Sequence, residues 1–257
     1  MARVKREREF EMSRSRYLFS IVIPVLNEAD GINSLIEDLL NREDASKSQI
    51  IVVDGDPEGT TVKAIINKQV VRLISARGRG CQMNAGVKAA EGGILVFLHA
   101  DTKLPREAMG KIRSVMEGDG FVGGAFDLHI ESDRFFLKCV STATNWRARL
   151  LRIPYGDQAI FIRKNYFDRI GGFKEIPLME DVELMGRIKK RGDRIFIISE
   201  AVGTSARRWE KEGAIFGTSR NLILICLYKF GVSPFILARF YKAAGSKAAM
   251  GDNSVLP

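Results

Sequence analysis

The sequence predicts an α/β fold: a mostly parallel central sheet followed by a helical C-terminal tail. Three observations carry this expectation. Short apolar runs alternate with amphipathic stretches between Leu18 and Asp101. Polar clusters stand at the ends of those runs. From Glu212 to Ala244 the chain becomes apolar at helical spacing. Strands alternating with helices imply a parallel sheet, and ligands gather at the carboxyl ends of its strands.

Leu18–Ile23 (LFSIVI) reads as a buried strand that Pro24 stops. Ile32, Leu35, Ile36, Leu39 and Leu40 follow at helical spacing, so Glu28–Asn41 is an amphipathic helix. Gln49–Val53 is the next strand and ends at Asp54. Val62, Ile65 and Ile66 mark a second helix, and Val70–Ile74 a third strand. The turn Arg77-Gly78-Arg79-Gly80 leads into a helix near Cys81–Ala90. Ile94–Leu98 is a fourth strand, ending at His99 and Asp101. Phe126, Leu128 and Ile130 then alternate with polar residues, as in a half-exposed strand. Arg134–Arg152 is helical, Ala159–Ile162 a short strand, Glu180–Lys190 a helix and Arg194–Ile198 the last strand. The tail reads as two apolar helices separated by Gly231 and Pro234.

The chain has 257 residues and a formal net charge of +9. Residues 1–16 contribute +3 and residues 203–257 contribute +5, so the middle is nearly neutral. That distribution argues against one broad nucleic-acid-binding surface, and nucleic acid is not an expected partner. Three scattered cysteines, Cys81, Cys139 and Cys226, suit reduced thiols in the cytoplasm. There is no CxxC and no HxxxH, which excludes zinc-finger and zincin chemistry. The N-terminal 1–16 segment has no apolar run and reads as a flexible charged leader rather than a signal peptide. No stretch reaches the roughly 18 apolar residues that a spanning helix needs.

Four polar clusters fall at strand ends: Asn27-Glu28, Asp54, Arg77/Arg79 and His99/Asp101. In a parallel sheet these ends share one edge, so the clusters converge as in a nucleotide site. Helix capping is the ordinary alternative for each carboxylate alone. The Arg77–Gly80 turn suits phosphate, because backbone N–H groups and guanidinium donors would point at the anion. It lacks the GK[ST] ending of a P-loop and the full GxGxxG spacing of a dinucleotide site.

These motifs, in this order, resemble family 2 glycosyltransferases of the GT-A fold. The likeness is to a bacterial branch and rests on Pro24–Glu28 (PVLNE), Val53–Gly55 (VDG), Arg77–Gly86 (RGRGCQMNAG) and His99–Thr102 (HADT). It continues through Gly156–Gln158 (GDQ), Glu180–Asp181 (ED) and Thr204–Trp209 (TSARRW), and covers about residues 17–242. It implies a nucleotide-sugar donor, usually a UDP-sugar, and Mn²⁺ or Mg²⁺. It places the nucleoside beside Pro24, Asn27 and Glu28, and the base edge against Asp54. Arg77 and Arg79 would face the diphosphate, with Gln82 and Asn84 in reach of the donor. His99-Ala100-Asp101 takes the place of the family's Asp-x-Asp, so Asp101 is the expected metal ligand. His99 is as readily a contact to the ribose or metal as a buried, satisfied imidazole.

The resemblance makes Asp181, beside Glu180, the base of an inverting transfer, with helix capping as the alternative. Gly156, Asp157 and Gln158 would line the acceptor pocket. Arg207 or Arg208 would pair with the diphosphate, and Trp209 would stack on a sugar or pack. The expected division is a leader over 1–16, a catalytic domain over 17–205 and a C-terminal helical segment over 206–257. Apolar positions in that tail are interleaved with Arg220, Lys229, Arg239 and Lys242. They suit packing on the sheet or a homodimer contact ahead of peripheral contact with the inner face of a membrane. Two rivals are a nucleotidyltransferase of related fold and a degenerate, non-catalytic transferase fold acting as a membrane-surface or protein-binding module.

Overall fold

The computed structural model describes residues 16–118 and 120–241, without the side chains of Arg208 and Lys211. Residues 1–15 of the expected leader, and the tail beyond Tyr241 with Lys242, lie outside the described residues.

The first half forms the expected alternation. Strand β1 (Phe19–Val25) is followed by helix α1 (Ala29–Leu40), β2 (Ser48–Asp54), α2 (Thr60–Ala64), β3 (Val71–Ile74), α3 (Arg79–Lys88) and β4 (Ile94–Phe97). These strands pair in parallel in the order β3-β2-β1-β4, so their carboxyl ends do share one edge. All seven residues of β1 are buried, as expected for a strand covered on both faces. Ile21 and Ile23 pack in one core cluster with Ile32 and Leu39 of α1. Val22 points the other way, into a cluster with Met83 and Val87 of α3.

The second half is mixed. A short β5 (Thr102–Lys103) and α4 (Ala108–Glu117) lead to β6 (Gly123–Glu131) and α5 (Phe135–Leu151). Then come β7 (Phe161–Arg163), α6 (Lys164–Arg169), α7 (Glu180–Lys190) and β8 (Ile195–Ser205). The eight-stranded sheet is completed as β4-β7-β6-β8-β5, with β7 antiparallel to both neighbours and β6 parallel to β8. The chain ends in α8 (Arg207–Glu212), α9 (Ala214–Lys229) and a helical segment over 234–241.

Three expectations need correction. Pro24 does not stop β1, which runs on to Val25. The ladder to β4 ends at the Val22–Phe97 pair, so Pro24 withholds no N–H that β4 needs. The last strand extends well past Ile198, to Ser205, because a bulge opposite Phe126/Asp127 keeps β8 in step with β6. Finally, α8 forms before the expected tail helices, and Gly231 (φ 89°) separates α9 from the segment that starts at Pro234.

The tail is fastened from two sides. Leu224 and Leu237 pack with Met179 and Val182, at the start of α7. Arg220 is buried and donates to Glu212 Oε2 at 2.6 Å. Its Nε and Nη1 atoms are buried with no hydrogen-bond acceptor; Glu212 is the carboxylate that answers this charge, with the Tyr241 ring centre 4.4 Å from the guanidinium. Breaking a buried pair leaves an uncompensated charge, whereas apolar replacement of both partners is often tolerated. Glu212→Ala is therefore expected to cost about 3 kcal/mol in urea unfolding, and the double variant Glu212→Leu/Arg220→Met clearly less.

Candidate active site

The site assembles at the carboxyl edge of β1–β4. Asn27 turns the chain off β1 with φ 58°, a left-handed conformation that asparagine tolerates better than most residues. Glu28 follows, and its N–H donates to Thr61 Oγ1. Burial and the nearby Asp101 carboxylate raise the Glu28 pKa above the ordinary range, against the pull of Arg207. Glu28, Asp101 and Arg207 thus come from three distant parts of the sequence into one electrostatic cluster. Asp101 itself is exposed.

Several expected binding residues are occupied in building this edge. Asp54 is fully buried. Its carboxylate accepts from the backbone N–H groups of Asp56, Thr61 and Val62, which ties the loop and α2 to the end of β2. Gln82 is also buried, and its Nε2 donates to the carbonyls of Val25 and Val53. That amide clamps the ends of β1 and β2 together. Asn84 makes a two-way bond with the backbone of Phe173. Pro24 is buried within β1, whereas Arg77 is exposed at the turn.

The two glycines of that turn serve different needs. Gly78 has φ 139°, which side chains rarely adopt. At Gly80 a Cβ would lie 2.6 Å from the carbonyl oxygen of Lys174. Arg79 opens α3 and reaches to 3.9 Å from Glu180. Its side chain is 48% exposed; the desolvation it does suffer opposes its charge, but Glu180, Asp181, Tyr241 and Asp157 outweigh that and hold its pKa above the usual arginine value.

The second half supplies the acidic pair. Met179 enters α7 with φ 70°, and Glu180-Asp181 form its first turn. The Gly156 N–H donates to Asp181 Oδ2 at 2.6 Å, and Val182 N–H donates to Oδ1 at 2.7 Å. A Cβ on Gly156 would lie 3.0 Å from His99 Nε2 and 3.3 Å from Asp181 Oδ2. The imidazole from the end of β4 and the carboxylate from α7 therefore meet against one glycine. Both oxygens of Asp181 keep lone pairs for a further donor. Gln158 is buried and locks this turn, accepting from Tyr155 N–H and donating to the Phe126 carbonyl.

Trp209 is placed in the core with Leu128 and Val202, so packing accounts for it. Arg207 donates to Ser205 Oγ and stands within the electrostatic reach of Glu28. The Arg208 side chain lies outside the described residues. Sequence reasoning missed Arg147 and Tyr155. The Arg147 guanidinium lies 3.3 Å from the centre of the Tyr155 ring, and Asp157 and Asp181 both act on its charge. Nothing in the local pattern of α5 marks Arg147 out; only the fold brings it to Asp181.

A divalent cation fits this edge only with help from a ligand. Among the described residues no three His, Cys, Asp or Glu side chains form a ready metal site. Asp101 offers a hard, exposed oxygen with Glu28 near it, the set expected where phosphate and water complete the shell.

The family model for Glycosyl transferase family 2 matches residues 20–175, more than half of the chain. The chain belongs to glycosyltransferase family 2. A dolichol-phosphate mannosyltransferase of Saccharomyces cerevisiae is 24% identical over 247 residues, covering 85% of this chain and 91% of the yeast protein. Another from Pyrococcus furiosus is 28% identical over 177 residues, 64% of this chain, which spans about half the length of that relative (48%). Among solved structures, the mannosyltransferase PcManGT of Pyrobaculum calidifontis, in complex with GDP-Man and Mn²⁺, has a TM-score of 0.62 at 16% identity. That match covers all of this chain and 84% of the other. S. aureus TarS 1-349 gives a TM-score of 0.58 at 17% identity, over 80% of this chain and 64% of that one. The fold of this family 2 protein is that of the GT-A glycosyltransferases.

Glu180 makes the site sensitive to pH. Burial, then the adjacent Asp181, push its pKa up to about 7, while Arg79 opposes the rise. A carboxyl whose folded pKa is raised favours folding at low pH, and that contribution is lost as pH rises through the folded value. The thermal midpoint is therefore expected to fall between about pH 4.5 and 7. Glu180→Gln should flatten this part of the profile, measured by melting curves across a pH series.

Proposed function

We propose that the protein transfers a sugar from a nucleotide-diphosphate donor to an acceptor nucleophile, with inversion, at the carboxyl edge of β1–β4. One observation supports this reading above others. Asp181 is oriented by the Gly156 N–H against His99, on the edge where Glu28, Asp101 and Arg207 gather. In this reading Asp181 takes the proton from the acceptor as that atom attacks the anomeric carbon. An inverting transfer needs a single base on the face opposite the leaving group. Gly156 and Gln158 hold the base in place through the turn they build. Glu180 and Arg79 set the local charge around it.

The donor lies over the β1–β4 ends, with Asn27 and Glu28 beside the nucleoside. Asp54 and Gln82 serve it indirectly, by fixing the loop and strand ends beneath it. Arg77, Arg79 and Arg207 all have exposure to meet the diphosphate. Asp101 would hold Mn²⁺ or Mg²⁺, with Glu28 near it. Such a cation, when bound, offsets charge on the departing nucleoside diphosphate. The named ligands of similar structures include both UDP-GlcNAc and GDP-Man, so both bases belong in a screen. A UDP-sugar is our leading donor, residues 17–205 the catalytic unit, and residues 206–257 a helical extension packed on it. Cys81, Cys139 and Cys226 are all unpaired, in keeping with a cytoplasmic site of action.

The test is a panel of UDP- and GDP-sugars with Mn²⁺, followed by product analysis. The expected product is nucleoside diphosphate, with turnover lowered about 100-fold or more in folded Asp181→Asn protein. Release of pyrophosphate would instead identify a nucleotidyltransferase. Wild-type turnover by the Asp181→Asn variant would remove the base assignment.

A further inference from the structure

The outer face of α5 is apolar, although the helix is already packed. Its inner side is tied to β6 through polar groups: Ser141 Oγ accepts from the Ile130 N–H, and the Asn145 amide bonds both backbone groups of Leu128. Its outer side carries Phe135, Cys139, Trp146 and Leu150, spaced to fall on one stripe, together with Thr142. Phe135, Trp146 and Leu150 are each at least 73% exposed. The stripe is not needed to build the sheet.

The tail repeats the pattern beside it. Helices α5 and α9 touch, and Ile153 and Tyr155 at the exit of α5 pack with Leu224, Ile225 and Tyr228. While Leu224 and Leu237 face inward, Leu222, Ile223, Phe230, Phe235 and Phe240 stay exposed. Charge narrows the occupant. Neither α5 nor residues 213–241 contain a single Asp or Glu. Exposed Lys138, Arg149, Lys229 and Arg239 edge the apolar residues. Arg149 is answered by Asp127 at 2.7 Å, but a second copy docking through the same face would still set Lys138, Lys229 and Arg239 against their counterparts, with no carboxylate supplied by α5 or residues 213–241. An anionic lipid surface complements both features, because aromatic and aliphatic side chains enter the acyl boundary while Lys and Arg meet the headgroups.

We propose that α5, α9 and the 234–241 segment form one face that docks on an anionic bilayer. The docking is peripheral; among the described residues no helix is long and apolar enough to cross a membrane. The inward sides of α9 and the 234–241 segment pack on Met179, Val182 and Tyr155, which flank the acidic pair. Docking would thus fix the candidate active site one helical layer from the headgroups.

Vesicle sedimentation with the full chain tests this, comparing phosphatidylcholine alone with vesicles containing about 30 mol% phosphatidylglycerol. Binding to the anionic vesicles should be at least ~10-fold tighter, and salt should weaken it. Trp146 is exposed and Trp209 is buried, so tryptophan emission should shift to the blue on binding, and Trp146→Phe should remove the shift. Phe230→Glu/Phe235→Glu and, separately, Trp146→Glu should each weaken binding about 10-fold or more with unchanged circular dichroism. The proposal is overturned by absence of binding to either vesicle, or by binding that these substitutions leave intact. A stable dimer in light scattering, dissociated by the same substitutions, would also overturn it.

Discussion

The site depends on one short contact. Gly156 presents its N–H to Asp181, while its missing side chain leaves room for His99 on the same spot. His99 belongs to the parallel half of the sheet, Gly156 to the turn before β7, and Asp181 to α7. A backbone N–H to a carboxylate is a charge-assisted hydrogen bond, worth about 1.5–3 kcal/mol. Its larger consequence is positional. It fixes one oxygen of the carboxylate while the N-terminal Val182 N–H of α7 fixes the other. Any Cβ at residue 156 must push one of these partners away.

Around that contact the protein gathers more negative than positive groups. Glu180 is buried beside Asp181, and Glu28 lies near Asp101. Each of those two glutamates has its pKa raised, by burial first and then by its acidic neighbour. Arg79 answers the first cluster and Arg207 the second. Two left-handed residues other than glycine, Asn27 and Met179, turn the chain into the two clusters. Strain of this kind, of order 1–3 kcal/mol, is held where the surrounding structure fixes it and is frequent at functional sites. In the GT-A arrangement of this family 2 protein, both clusters sit where the strands end.

Much of this was legible in the sequence, for definable reasons. The runs at 18–23, 49–53 and 94–98 are apolar except for Ser20 and Gln49, which bond each other, because strands buried on both faces cannot alternate. The polar residues following them had to share one edge once the strands were parallel. Other roles were not legible. Asp54, Gln82 and Asn84 stand in the right motifs, but their polar atoms are spent on backbone groups that only the fold brings near. Trp209 could by sequence stack on a sugar or pack, and the fold places it in the core. Arg147 comes within electrostatic influence of Asp157 and Asp181 through the tertiary structure, with no local pattern to announce it. The outward face of α5 is equally silent: its apolar stripe looks like any core-facing stripe until β6 is seen bound to the polar side.

In the proposed mechanism the β1–β4 edge holds a nucleotide whose phosphates complete a cation site begun by Asp101. Calorimetric titration of UDP and GDP, with Mn²⁺ and with chelator, measures this directly. At least one nucleotide is expected to bind, about 10-fold or more tighter with Mn²⁺, and Asp101→Asn is expected to lose that gain. Nucleotide binding of equal strength in chelator, or an unchanged Mn²⁺ effect in Asp101→Asn, would contradict this mechanism.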